Sequence, residues 1–362
     1  MKVLMIIFIS AFFFMVFGDS PPQVYTTPGW INITPYFQNL KVKGDLNQEA
    51  EFSEQSNLFS IRYSLMENWN IGLTGAQAQV SGDVPGLSGL SDVQAYTNVR
   101  LPSLNMVFGL QLNFPSGKTE LNRGEFESSF AISNPIFRFR VPSFGQGLNI
   151  SPSIMWVYPV KETVVVGLGV SYQYLGDYTS IENTGKYNPG DEILLTAGID
   201  FRLTPTTRMS GDIIYTKFGK DKYENKEIYA AGDKILLSLQ LKRYFGYNVL
   251  QLTGLYRSRA KNNLIAQDRQ VKTIPNNFDT RLNYSMRLSG QIYLNLLAEM
   301  LLYEKSEAEI SDGYILGGGL IPEFRLTDYF SLQLTGKYYS GEFQNNLSLT
   351  GYEAGLGLKL NF

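Results

Sequence analysis

The chain contains no Cys and no His in 362 residues. These two absences exclude thiol nucleophiles, Ser-His-Asp hydrolysis, imidazole general bases, Cys/His zinc sites and disulfide frameworks. A strong charge of either sign is also missing. Lys+Arg 31 against Asp+Glu 33 leaves a formal charge of −2, which speaks against nucleic acid as a partner, since that requires a basic face. No GxGxxG or phosphate-loop sequence occurs, and no cofactor is expected. The abundant residues are Gly (34), Tyr (23) and Phe (23). Although 44% of residues are hydrophobic, the mean hydropathy is only −0.12. Such a balance needs apolar and polar residues interspersed rather than segregated in blocks, and it points to an all-β chain.

One apolar block stands apart. Lys2 precedes Val3–Phe17, and Val16 and Gly18 are small enough for positions −3 and −1 of a signal-peptidase site before Asp19. Residues 1–18 therefore read as a cleaved secretory signal, followed by a short Pro-containing periplasmic lead, 19–28. No Cys follows the apolar block, so a lipoprotein anchor is not available. Beyond it, no run approaches the roughly 18 apolar residues of a membrane helix. If the exported chain enters a membrane, it must do so as strands.

A period of two dominates the remainder. Tyr352, Ala354, Leu356, Leu358, Leu360 and Phe362 share one parity; Gly351, Glu353, Gly355, Gly357, Lys359 and Asn361 share the other. Ile292–Leu302, Phe330–Thr335 and Ile235–Lys242 alternate in the same way. This is the pattern of a strand with one apolar face. Soluble sandwiches alternate too, but three features favour a membrane barrel. The apolar faces span about ten residues, the length that crosses a bilayer at a tilt. Connections alternate between tight (near 67–70, 102–105, 160–163, 204–207, 245–248, 289–291 and 327–329) and longer (near 42–54, 81–89, 116–146, 178–190, 219–230 and 261–277). The terminal strand ending in Phe362 resembles the C-terminal signature of bacterial outer-membrane barrels, which implies that the barrel-insertion machinery reads it. The expected fold is thus all-β: residues 29–362 form a single transmembrane antiparallel β-barrel of the bacterial outer membrane. The segmentation gives about sixteen strands, with twelve or fourteen left open. Trp69, Trp156, Tyr158, Tyr244, Phe324 and Phe330 beside the short turns, and Tyr172, Tyr174, Tyr256, Tyr303 and Tyr338 towards the loops, are expected to form interfacial belts.

Two constellations are candidates for function. Arg100, Arg202, Arg287 and Arg325 each precede a Leu at a strand end, and Lys242 and Lys359 sit comparably. All take the inward parity and would make a basic ring at the periplasmic mouth, either as edge charges paired with neighbours or as a device that steers anionic solutes. Inward parity also collects Arg62, Asp200, Asp212, Arg257, Arg281, Glu299, Glu323, Lys337 and Glu353, but no spacing singles out a pair for acid–base work. No enzymatic activity, metal site or catalytic residue is expected. The second constellation is the segment 116–146, long for a loop and carrying Phe126, Phe130, Ile132, Ile136, Phe137 and Phe139. Glu125–Ile132 is a short helix candidate ahead of Pro135. Two placements are open: folded inwards as a plug or ligand wall, or packed over the barrel rim outside.

Residues 88–178 add a resemblance. Gly89-Leu90-Ser91-Asp92-Val93, Asn98-Val99-Arg100-Leu101, Phe108-Gly109-Leu110-Gln111-Leu112-Asn113-Phe114-Pro115-Ser116-Gly117-Lys118, Trp156-Val157-Tyr158-Pro159-Val160, Val166-Gly167-Leu168-Gly169-Val170 and Tyr174-Leu175-Gly176-Asp177 stand in that order. Together they resemble the outer-membrane barrel family of the phenol-degradation meta pathway, which is broadly similar to the long-chain fatty-acid outer-membrane transporters. The resemblance implies transport without supplying a substrate. The expectation is an outer-membrane channel for passive uptake of small hydrophobic or aromatic compounds, with outer-membrane lipid, the insertion machinery and a small-molecule solute as partners. General diffusion of small polar or anionic solutes is the alternative, and a surface-binding or adhesion barrel without transport is a further one.

Overall fold

The computed structural model describes residues 28–44, 49–307, 311–344 and 346–362. The expected signal 1–18 and the lead up to residue 27 lie outside the described residues. In chain order the elements are β1 Gly29–Lys43, β2 Glu49–Met66, β3 Trp69–Gly82, β4 Leu87–Leu90, β5 Val93–Leu101, β6 Met106–Phe114, α1 Arg123–Ile132, β7 Asn149–Lys161, β8 Val164–Leu175, β9 Tyr187–Asn188, β10 Glu192–Thr204 and β11 Thr207–Phe218. They continue with β12 Lys220–Tyr223, β13 Lys226–Ala230, β14 Lys234–Phe245, β15 Asn248–Arg259, β16 Asn262–Leu264, β17 Arg269–Val271, β18 Asn277–Arg287, β19 Ile292–Tyr303, β20 Gly313–Arg325, β21 Phe330–Phe343 and β22 Leu347–Asn361.

The wall is a closed antiparallel barrel of 16 strands, with β4 and β5 the two parts of one strand. Closure is made by the first and last strands, paired from Trp30↔Asn361 to Lys43↔Ser348. Alternation sets the faces. On β14, Ile235, Leu237, Leu239 and Leu241 are exposed outside while Lys234 and Leu236 are buried inside. Outward Leu, Ile and Val recur on strand after strand, a belt that water would not tolerate on a monomer but lipid requires. Among the described residues no helix is long and apolar enough to cross a membrane.

Aromatic rings mark the ends of the apolar belt. Trp156 stacks on Tyr158 with centroids 5.2 Å apart, and Tyr63 stacks on Phe362 at 6.2 Å, both at the short-turn end. Tyr172, Tyr174 and Tyr338 are exposed towards the opposite end. Two of the expected belt residues face inwards instead. Tyr244 lies under the ammonium of inward-facing Lys242, and Tyr303 is buried in the lumen. Both have the lumen parity of their strands, which outranks proximity to a strand end.

Glycines make room for inward rings. Tyr96 lies across Gly72, its direct cross-strand partner, where a Cβ would come within 2.3 Å of the ring. Tyr36 lies across Gly355 in the same way, also at 2.3 Å.

The expected segmentation needs three corrections. The long connection placed at 42–54 is mostly strand, because β2 begins at Glu49 and pairs with β1 as far as Lys43↔Glu49. The fourth spanning strand is interrupted: β3 pairs Gln77 with Leu90 but Thr74 with Gln94, so one extra residue is taken up around Ser91–Asp92. The loops after β8, β11 and β15 are also not irregular. Their strands β9, β12, β13, β16 and β17 pair into a separate five-stranded sheet at the extracellular end. On its strand β12 the buried Asp221 accepts from the Tyr187 hydroxyl at 2.6 Å and from the Gly190 amide at 2.8 Å.

The lipid-facing assignment is testable. Leu239→Arg, near the middle of an outward face, should destabilise the barrel by about 2–4 kcal/mol in urea titrations of protein refolded into vesicles. A cost near zero would place Leu239 outside the hydrocarbon.

Candidate functional site

The interior of the barrel is organised by the segment between β6 and β7. It starts at the wall break. Asp92 accepts from the amides of Gly117 (2.9 Å) and Gln146 (2.7 Å) and from the Asn113 side chain (2.7 Å), so one carboxylate ties the two ends of the segment together. Helix α1 follows, starting at Arg123, two residues before the Glu125–Ile132 candidate. Asn122 caps the Glu125 amide while Glu125 returns to the Asn122 amide, a reciprocal capping box. Lys118 pairs with Glu125 and fixes the helix start against the incoming chain.

After α1 the chain runs against the lumen face. Ile132, Ile136, Phe137, Phe139, Val141 and Phe144 are buried with the inward residues Leu40, Ala76, Ala78, Val80, Leu301, Ile315 and Leu349. Polar groups fix the register of this contact. Gln38 donates to the Phe137 carbonyl at 2.9 Å and to the Tyr339 hydroxyl at 2.8 Å. The fully buried Glu54 accepts from the Val141 amide at 3.1 Å. Two guanidinium groups then reach the wall. Arg138 makes a bidentate pair with Glu299 at 2.8 and 2.9 Å, and Arg140 pairs with Glu353 and covers the Tyr36 ring at 4.5 Å. Arg138 has φ +56°, a left-handed backbone that costs free energy in a non-glycine residue. The two charge-assisted bonds to Glu299 offset that cost.

Of the six apolar residues singled out in this segment, Ile132, Ile136, Phe137 and Phe139 are buried and Phe126 packs at the edge of their cluster. Phe130 differs, being 60% exposed. It points from α1 into a cleft of 110 Å³ shared with Leu121, Leu175, Tyr178 and Tyr187. In this cleft burial and the Asp221 carboxylate both push the Tyr178 hydroxyl up, to about 12, so it is neutral at ordinary pH.

The segment leaves space beneath it. A lumen cavity of 660 Å³ is lined by Trp30, Tyr36, Tyr96, Phe139, Tyr303 and Tyr339 together with Arg138, Arg257, Arg281, Glu299, Lys337 and Glu353. A second space of 510 Å³ lies among Gln251, Thr253, Leu255, Asn283, Asn295, Ile321 and Gln333. The charges lining the first are mostly compensated locally: Arg281 meets Asp279 at 2.7 Å and Lys337 meets Glu353 at 3.6 Å.

The six basic residues at the periplasmic end all take the inward parity, but they do not form an even ring. Arg202 and Lys242 are both direct cross-strand partners of Arg208, a row of three cations on adjacent strands. Arg287 and Arg325 share the Tyr293 ring, at 5.9 and 4.3 Å, and Lys359 lies over Trp30 at 5.8 Å. Arg325 also meets Glu323 at 3.6 Å. Arg100 stands apart on β5, opposite Val107. Arg208 has no Leu after it, so its only sequence signals are its parity and its place one turn after Arg202. Gln38 and Glu54 carry no local signal, because their importance depends on which loop folds over them. Among the described residues no acidic cluster has the geometry of a metal site.

No family model matches the chain, and no curated protein matches it. Solved structures do. An outer-membrane channel from Pseudomonas putida F1 matches at 10% identity and a TM-score of 0.39, over 95% of this chain and 99% of that one. A deletion mutant of the TodX monoaromatic hydrocarbon channel matches at 10% identity and a TM-score of 0.49, over 93% and 91%. A FadL homologue from Pseudomonas aeruginosa matches at 8% identity and a TM-score of 0.47, over 92% and 90%. The closed wall, its lipid-facing belt and its filled interior define an outer-membrane β-barrel with an inward-folded segment.

The Arg138–Glu299 pair should hold this segment in place. Glu299→Gln leaves a buried guanidinium short of its counter-charge, a change that typically costs about 3–5 kcal/mol. The expected result is faster proteolysis within residues 120–140 while the barrel itself keeps its heat-modifiable gel mobility. Unchanged cleavage kinetics would mean the pair does not anchor the segment.

Proposed function

We propose that the protein is a passive outer-membrane channel for small hydrophobic or aromatic compounds, with the 116–146 segment as its constriction and selective wall. One observation carries this reading. The segment brings Phe139 and Phe144 into a barrel of 16 strands and leaves a 660 Å³ cavity with Tyr36, Tyr96, Tyr303 and Tyr339 around it. A barrel of this strand number encloses water unless something fills it. Filling it with aromatic side chains raises the barrier for hydrated polar solutes and provides contact area for rings.

Deleting residues 120–140 is expected to raise single-channel conductance in planar bilayers. It should also abolish preference in liposome swelling, where the intact protein admits aromatic acids faster than sugars of similar mass. Equal swelling rates with the intact protein would favour general diffusion over this reading, and unchanged conductance on deletion would remove the constriction from the segment.

A second reading, passage of anionic solutes selected by charge, is favoured by the Arg202–Arg208–Lys242 row and by the inward basic residues near it. Rings of charged side chains set ion selectivity at close quarters. Neutralising Arg100, Arg202, Arg287 and Arg325 together should shift the reversal potential away from anion selectivity under a salt gradient. Reversal potentials identical to those of the unaltered protein would sink this second reading.

A further inference from the structure

Near the extracellular sheet, on the lumen faces of β14 and β15, three cations stand together. Lys234 is the direct cross-strand partner of Arg259, and Arg257 lies one inward step along the same strand, opposite Leu236. Lys234 and Arg259 are each only 3% exposed. Their polar groups are poorly matched. Lys234 has the Glu192 carboxylate as its nearby counter-charge. Nε and Nη2 of Arg259 and Nε of Arg257 reach no acceptor. Arg259 instead lies over the Phe218 ring at 4.0 Å, and Arg257 donates once, to Asn277 at 3.3 Å.

The hydrogen bonds of the surrounding carboxylates run largely to other groups. Asp221 is taken by the Tyr187 hydroxyl and the Gly190 amide, Asp233 by the Tyr215 hydroxyl, and Asp279 by both arms of Arg281. Glu192 adds one negative charge close to Lys234 and Arg259. Asp221, Asp233 and Asp279 still contribute negative charge near Arg259 and Arg257, but three guanidinium nitrogens of the cluster remain without an acceptor in a water-poor part of the lumen. Buried cations are costly unless an anion meets them, and guanidinium groups with unfilled N–H donors are shaped for a carboxylate.

We propose that Lys234, Arg257 and Arg259 form the binding site for the carboxylate of a single-ring aromatic acid on its way through the lumen. Arg257 opens directly onto the 660 Å³ cavity, where Phe139, Tyr303 and Tyr339 receive the ring. The polar end is held by charge and the apolar body by aromatic contact. This inference rests on the reading of the protein as a channel for aromatic compounds and narrows it to their acids.

The experiment measures benzoate, benzyl alcohol and acetate binding to the purified, refolded full-length barrel by titration calorimetry at neutral pH. Benzoate is expected to bind about tenfold or more tighter than either of the others, because each lacks one half of the interaction. Lys234→Gln and Arg259→Gln, checked for native heat-modifiable mobility, should each weaken benzoate about tenfold and leave benzyl alcohol unchanged, with Arg259→Lys retaining part of the affinity. Equal binding of benzoate and benzyl alcohol by the unaltered protein overturns the site without any variant. So does full benzoate affinity in a natively folded Arg259→Gln. Benzoate binding by a barrel that passes no solute would leave this site standing and sink the channel reading; solute passage without benzoate preference would do the reverse.

Discussion

Hydrocarbon offers no hydrogen bonds, so every backbone N–H and C=O that crosses it must be paired within the protein. The rest of this structure follows from that constraint. Strands meet it only when the sheet has no edge, and here the edge is removed by pairing β1 with β22 along almost their whole length. Once the wall closes, the parity of every spanning residue becomes a choice between lipid and lumen. A shift of one residue would invert that choice for a whole strand. The apolar parity is therefore kept throughout β19 and along β14 from Ile235 to Leu241, whereas the inward parity of these strands admits Lys, Ser, Gln, Asn and Glu beside Leu and Tyr.

Closure at this strand number creates an interior larger than side chains from the wall can fill. The chain fills part of it with the segment between β6 and β7. An inward segment carries backbone polar groups and charges into a water-poor space, and both need partners there. Asp92, Gln38 and Glu54 pair the backbone groups, and Glu299 and Glu353 pair the guanidinium groups of Arg138 and Arg140. Apolar burial supplies the driving force for the fold-in, and the polar contacts set one register for it. The two ends of the segment return to a single carboxylate, Asp92, at the place where the wall itself is interrupted. The interruption of the wall and the path of the segment are thus one feature.

The lumen is chemically divided as a result. Towards β1, β3 and β20–β22 it is packed with the aromatic and aliphatic residues of the segment. Towards β10, β11, β14 and β15 a small apolar cluster of Leu194, Ile214, Leu236 and Leu255 lies between a cationic cluster near the extracellular sheet and a cationic row at the periplasmic mouth. A solute that satisfies both halves has an apolar body and a negative charge. That combination unites the two functional readings, which separately stress aromatic contact and anion selection.

How much of this was legible in the sequence depends on the range of the interactions concerned. Alternation is local, so strand positions, the even strand count and the inward parity of Arg202, Glu299 or Lys337 could be read from one residue to the next. The lack of Cys and His likewise settled which chemistries were unavailable. Contacts between distant segments carry no local mark. Nothing near Glu54 or Gln38 announces that residues 137–141 will rest on them, and nothing near Lys234 announces Arg259 as its neighbour. Loops after β8, β11 and β15 looked irregular because their short strands find partners only in one another. The sequence by itself determined that a closed wall with lipid outside would form, because apolar faces of about ten residues, alternating short and long connections and the cost of an unpaired edge in hydrocarbon combine in a closed barrel. Only the tertiary structure decided what stands inside that wall, because filling the lumen is a matter of volume and charge compensation among residues tens to hundreds of positions apart.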